Sequence, residues 1–159
     1  MKMHLIEPKT STQTTPTVLL IHPMLSSAEG MKTVLVSNMG DDLRYLIPDL
    51  AAHGEEDATE YTSASQEAAQ IHDWLLEHNI THLSLGFGAS LGGVVLSELL
   101  KFNDLAFDHL FFEGTSFWTG GFLASAMEFV LKKVFLAKHC KAIADPELSV
   151  QKMEQLYGK

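Results

Sequence analysis

The strongest chemical signal in the sequence is Gly88-Ala89-Ser90-Leu91-Gly92, followed at once by Gly93. It lies between an apolar run, residues 83–87, and a segment with a helical pattern, residues 91–102. A G-x-S-x-G sequence in that setting presents serine as a nucleophile on a sharp strand-to-helix turn. The reversal is so tight that side chains two residues to either side would collide, so both positions take glycine. The hydroxyl is then held clear of the strand at a helix N-terminus. There the dipole and unpaired amides stabilise an oxyanion. Acyl transfer through a serine is the chemistry this spacing serves.

Two other readings of the same glycines stay open. Gly86, Gly88, Gly92 and Gly93 could form a phosphate-binding turn of the dinucleotide type, with Glu113 as the acid about 20 residues on. That turn, however, belongs at the first strand of its unit, and here two apolar runs precede it. The third reading is a purely structural turn with Ser90 as a helix cap.

The elements that must position Ser90 are short and regularly spaced. Residues 18–22 are continuously apolar with β-branching at intervals, the pattern of a strand buried on both faces. Residues 27–38 follow as a helix with Met31, Val34 and Leu35 on one side and Gly40 beyond its end. A second strand, 43–47, is closed by Pro48, and 51–62 is a polar loop. Ser63 with Gln66 forms a capping box that opens a helix reaching about residue 79, with Ala68, Ile71, Leu75 and Leu76 as its buried stripe. A third strand (83–87), a third helix (91–102) and a fourth strand (110–112) complete the alternation. Strands and helices alternating without linkers predict βαβ units, hence an α/β fold with a parallel sheet and helices on both faces. Past Glu113 the pattern turns helical, over 122–139 and 146–157, the latter opened by Asp145-Pro146. The expected organisation is a core over 1–116 and a helical appendage over 117–159.

Composition narrows the partners. The formal net charge is −9, from 20 acidic and 11 basic side chains, so nucleic acid and anionic membranes are not expected partners. Cys140 is the single cysteine, which rules out an intramolecular disulfide and a multi-cysteine zinc site. The most apolar stretch, 117–136, is interrupted by Glu128, Lys132 and Lys133, so no membrane span is expected. The opening residues reach Glu7 and Pro8 too soon for a secretory apolar region, and a cytoplasmic location is the expectation.

With these residues in place, the chain resembles the α/β-hydrolase family. The serine turn is one of three motifs in the family's order. Leu19-Leu20-Ile21-His22-Pro23 is similar to its strand and His-Gly turn before the oxyanion loop. Leu46-Ile47-Pro48-Asp49-Leu50 with His53-Gly54 is similar to its strand, Pro-Asp-Leu and His-Gly segment. The resemblance covers about residues 17–117. It implies that Ser90 attacks the substrate carbonyl and that the oxyanion hole is made by the amides of Leu91 and Met24. Pro23 departs from the family's usual glycine; it fixes φ and lacks an amide hydrogen, while the donor at Met24 survives. His22 is implied to orient the oxyanion loop, and His53 reads as a hydrogen-bonded turn residue. No metal or organic cofactor is implied.

The family order continues with an acid and then a histidine. After Ser90 only His109 and His139 remain. His109 is expected at the start of a strand, the wrong end of a parallel sheet, and His139 reads as a solvated helix-end cation. Glu113 follows the fourth strand and is either the triad acid or a residue lining the pocket. The resemblance therefore implies that the chain is C-terminally incomplete and ends within a cap. The function expected is hydrolysis of a small, fairly apolar ester or related acyl substrate. The alternative is a catalytically inactive hydrolase-like binding or regulatory protein.

His72, His78 and His82 invite a metal reading, but their spacing places 72 and 78 on different helix faces, and a solvated surface is expected for all three. Phe117, Trp118, Phe122, Phe129 and Phe135 either form an apolar pocket or pack against the sheet. If the cap is incomplete, its exposed helices predict self-association.

Overall fold

In the computed structural model, which describes residues 1–117 apart from Gln13, together with Lys133 and Asp145, the apolar runs assemble into a five-stranded sheet. The chain divides into two compact units, Met1–Phe117 and Trp118–Lys159, and the elements below belong to the first. The expected helices over 122–139 and 146–157, with His139 and the aromatics from Trp118 to Phe135, lie outside the described residues. Among the described residues no helix is long and apolar enough to cross a membrane.

The strands are β1 (Lys2–Ile6), β2 (Thr17–Ile21), β3 (Arg44–Asp49), β4 (His82–Ala89) and β5 (Ala106–Glu113), in the spatial order β1-β3-β2-β4-β5. From β3 to β5 all neighbours pair in parallel, as the alternating pattern predicts. The exception is β1, which lies antiparallel on β3 with Lys2 opposite Asp49 and Ile6 opposite Tyr45. The sequence reading contained no strand there.

A strand buried on both faces sends alternate side chains to opposite sides, and β2 divides its run in this way. Leu19 and Ile21 join Ile71, Leu75, Val95, Leu96 and Leu99 under helices α3 (Ala64–Glu77) and α4 (Leu91–Leu99). Val18 and Leu20 join Ala28, Met31, Tyr45, Ile47, Phe87 and Ala89 on the other face, under α1 (Ala28–Met31). Helix α3 opens where its cap predicts, the Ser63 hydroxyl accepting from the Gln66 amide at 3.2 Å, and at α1 the Ser27 hydroxyl likewise accepts from the Gly30 amide at 3.3 Å. The first helix is irregular in a way the 3.6-residue pattern did not indicate. It widens to a π-helical segment over Lys32–Val36 before α2 (Ser37–Met39). Thr33, Ser37 and Asn38 each donate a side-chain hydrogen bond to the carbonyl four residues back, supplying donors along the irregular stretch.

Two expectations need correction. Pro48 does not close β3, which runs on to Asp49. Its pairing with β2 ends at Leu46, so beyond that residue only β1 flanks the strand, and a residue without an N–H is tolerated there. His72 is not a solvated surface histidine. It is 8% exposed, stacks on Phe102 with ring centroids 4.0 Å apart, and places Nε2 2.9 and 3.0 Å from the two Asp104 oxygens.

Candidate active site

β4 ends at Ala89, and Ser90 turns the chain into α4 with φ 48° and ψ −109°. This is the backbone region of the first central residue of a type II′ turn, where glycine is the favoured residue. The serine side chain makes no capping hydrogen bond and is exposed. The turn is held instead through its backbone. The Ser90 amide donates to the Glu113 carbonyl at 2.8 Å, and the Ser90 carbonyl accepts from the amides of Gly93 (3.1 Å) and Val94 (3.3 Å).

The glycines around it are required by contact. A Cβ on Gly88 would lie 2.6 Å from both the Gly92 carbonyl oxygen and the Gly93 Cα. One on Gly92 would run into the carbonyl of Ile21, and one on Gly93 into the side chain of Thr115. The first of these is the collision across the turn that the motif implies. The other two are contacts with β2 and with the segment after β5, which motif spacing could not reveal.

β2 and β4 are in register with Ile21 opposite Gly88, so His22, Pro23 and Met24 leave the sheet at the end where Ser90 leaves it. His22 is fully buried. Its Nε2 accepts from the Leu50 amide at 3.1 Å, which makes Nδ1 the donor to the Pro23 carbonyl at 2.8 Å. Burial lowers its pKa, and both ring nitrogens are already used. A neutral histidine so engaged orients the turn after β2 and has no free lone pair for a base. The Pro23 carbonyl also accepts from the Ser26 amide at 3.3 Å. Between them stand Met24, 54% exposed, and Leu25, with φ 63°. His53 packs 5.1 Å from the His22 ring and places Nδ1 2.8 Å from the Ala51 carbonyl.

Asp49 is the buried polar residue that the motif reading left without a role. It is 1% exposed. Oδ1 accepts from the Ala28 amide at 2.7 Å; Oδ2 accepts from the Glu55 amide at 3.0 Å and lies 2.9 Å from His4 Nε2. Burial alone would raise its pKa, but the two amides and the His4 ring outweigh it and hold the carboxyl below its usual value. Asp49 thereby ties the start of α1, the loop after β3 and the edge strand to one point. Gly54, with φ +55°, leaves room for it: a Cβ there would strike the Asp49 carboxylate. His4, Asp49 and Glu55 are also the one group among the described residues with donor atoms close enough to hold a metal ion, within 4.8 Å of one another. Lys32 Nζ lies 3.3 Å from His4 Nδ1, so the cluster already has hydrogen-bonding and charged partners of its own.

Glu113 ends β5 opposite Ala89, at the same sheet end as Ser90, and its side chain is exposed. With Pro23, Met31, Val34, Phe87 and Ala89 it lines a void of about 140 Å³. His109 is not at the start of its strand: it sits within β5 opposite Leu85 and is exposed. Among the described residues no acid or histidine hydrogen-bonds to the Ser90 hydroxyl.

No protein-family model and no curated protein matches the sequence. Solved structures do match. One is a Desulfitobacterium hafniense protein described as an α/β-hydrolase family member, with a TM-score of 0.72 and 21% identity over 86% of this chain and 53% of that one. Homoserine O-acetyltransferase from Staphylococcus aureus gives 0.65 at 13% identity over 84% and 46%. The N-acyl homoserine lactonase AidH, complexed with N-butanoyl homoserine, gives 0.57 at 23% identity over 71% and 40%. The fold is therefore that of the α/β-hydrolases. The chain spans about half the length of these structures, and an acetyltransferase beside a lactonase illustrates that the fold alone does not choose the reaction.

Proposed function

We propose that the chain carries the nucleophile-bearing part of a serine hydrolase acting on a small, fairly apolar ester or related acyl substrate. Ser90 Oγ bonds to the carbonyl carbon, the alcohol leaves, and water releases the acyl group. The developing oxyanion is held by the amides of Leu91, at the first position of α4, and Met24, in the turn that His22 orients. The observation that carries this reading is the backbone of Ser90. An L-residue held at φ 48° with an exposed side chain free of capping bonds is costly to the fold, and such strain collects at functional sites. A structural turn would be served better by glycine. A serine hydroxyl is a weak nucleophile without a base, and the reading draws that base from outside the described residues.

The test is the intact mass of the chain before and after a fluorophosphonate, with Ser90→Ala alongside. A single adduct, absent from the variant, is expected. A folded sample that takes no adduct overturns the reading for this chain and favours a hydrolase-like protein that binds a ligand without turning it over.

A further inference from the structure

The segment that follows β5 folds back onto the serine turn. Glu113 ends the strand, and Gly114 turns the chain with φ +53°. No atom lies within 4 Å of where a Cβ on Gly114 would stand, so what glycine supplies there is the left-handed backbone. That turn brings Thr115 against the first turn of α4. A Cβ on Gly93 would run into Thr115 Oγ1 and lie 2.8 Å from both Cβ and Cγ2 of that threonine. The Thr115 side chain therefore fills the space that a larger residue at position 93 would need.

The Thr115 hydroxyl also faces two carbonyls, that of Gly88 at 3.5 Å and that of Glu113 at 3.3 Å. Both are long for an O–H donor, whose ordinary range is about 2.5–3.0 Å, so the packing on Gly93 is the stronger tie. The Glu113 carbonyl is in turn the acceptor of the Ser90 amide, at 2.8 Å. Residues 113–115 thus hold the serine turn before, at and after the nucleophile, through Gly88, the Ser90 amide and Gly93. A residue at φ 48° keeps that backbone only where its surroundings over-determine it. The bonds from the Ser90 carbonyl to the amides of Gly93 and Val94 are local to α4. Thr115 adds a restraint from outside the helix. Its branched Cβ makes χ1 stiff, so the hydroxyl and the methyl press on Gly93 together.

We infer that Thr115 is a positioning residue for the nucleophile. By filling the space over Gly93 it fixes the start of α4, and with it the strained backbone on which Ser90 stands. This rests on the reading of Ser90 as the nucleophile.

The test reads amide hydrogen exchange and the rate of fluorophosphonate labelling on the same chains. Exchange at Ser90 is compared with that at Leu20, which is fully buried in β2, because a merely structural role would speed Leu20 as well. Thr115→Ala should speed exchange at Ser90 at least tenfold, change Leu20 by less than about threefold, and slow labelling at least tenfold. Thr115→Ser, which retains Oγ1, should stay within about threefold of the native chain in all three. Gly93→Ala should loosen the turn further, because its new Cβ meets Thr115. Adding Thr115→Gly vacates that space for the new Cβ and should return Ser90 exchange to within about threefold of native. The inference is overturned if Thr115→Ala leaves Ser90 exchange unchanged or speeds Leu20 equally. It is also overturned if Thr115→Gly fails to rescue Gly93→Ala, a comparison that stands even where Thr115→Ala does not fold. If exchange responds as expected but the native chain takes no adduct, Thr115 positions the turn and the nucleophile reading fails. If Thr115→Ala is labelled at the native rate, the positioning role fails and the nucleophile stands.

Discussion

Replacing Ser90 with glycine should make the protein more stable while removing its reactive group. At φ 48° and ψ −109° the serine occupies a region in which a Cβ is strained, at a cost of about 1–3 kcal/mol. Glycine removes the Cβ and the strain, but its freer unfolded chain takes back about 0.5–1 kcal/mol. The hydroxyl has no hydrogen bond among the described residues, so nothing is forfeited with it. The net gain is then about 1 kcal/mol, within a range of ~0–2.5. Ser90→Ala keeps the Cβ and should stay within about 0.5 kcal/mol of the native chain. Urea unfolding followed by circular dichroism reads the difference. With a slope of ~1–3 kcal/mol per molar, Ser90→Gly should move the midpoint up by about 0.5 M, and Ser90→Ala should not move it. If the glycine variant, at unchanged slope, unfolds no later than the alanine variant, the turn is not strained, and the argument from Ser90's backbone to function loses its support.

Two further outcomes follow from the groups around the turn. Asp49→Ala should cost about 2–5 kcal/mol by leaving the Ala28 and Glu55 amides without their buried acceptor, and Gly54→Ala should also destabilise, by at least ~1 kcal/mol, because φ +55° and the Asp49 carboxylate both oppose a Cβ; urea midpoints check both. His22 has a folded pKa below its unfolded value because of burial, so its contribution is complete above the ordinary histidine value of about 6.5 and is lost as pH falls below it. Thermal unfolding between pH 7.5 and 5 should show the native chain losing stability through that window. His22→Asn, less stable at pH 7.5, should show a shallower decline; an equal slope would mean that another group titrates there.

What could be read from the sequence was what local sterics and strand alternation impose. Glycines two residues either side of Ser90 announce the turn because no other residue fits, and the continuous run from Val18 to His22 announces a strand buried on both faces. The edge strand β1 was missed because it is short and its identity comes from pairing with β3, some forty residues away in the chain. His72 was misread for the same reason: Phe102, on which it stacks, and Asp104, which hydrogen-bonds it, lie about thirty residues on. The π-helical segment left no trace in the apolar spacing, and the side-chain bonds that accompany it come from polar residues, Thr33, Ser37 and Asn38. Asp49 stood inside a recognised motif, yet its three partners come from three separate segments, and spacing alone could not assemble them.

The closeness of Gly92 to the carbonyls of Ile21 and His22 also bears on how this site could diversify. The serine turn and the turn after β2 abut backbone to backbone, with no side chain between them whose size could be tuned. Point substitutions therefore have little purchase on the separation between the two, and lineages descended from such a chain would vary what they accept by changing surrounding walls while inheriting the central spacing intact.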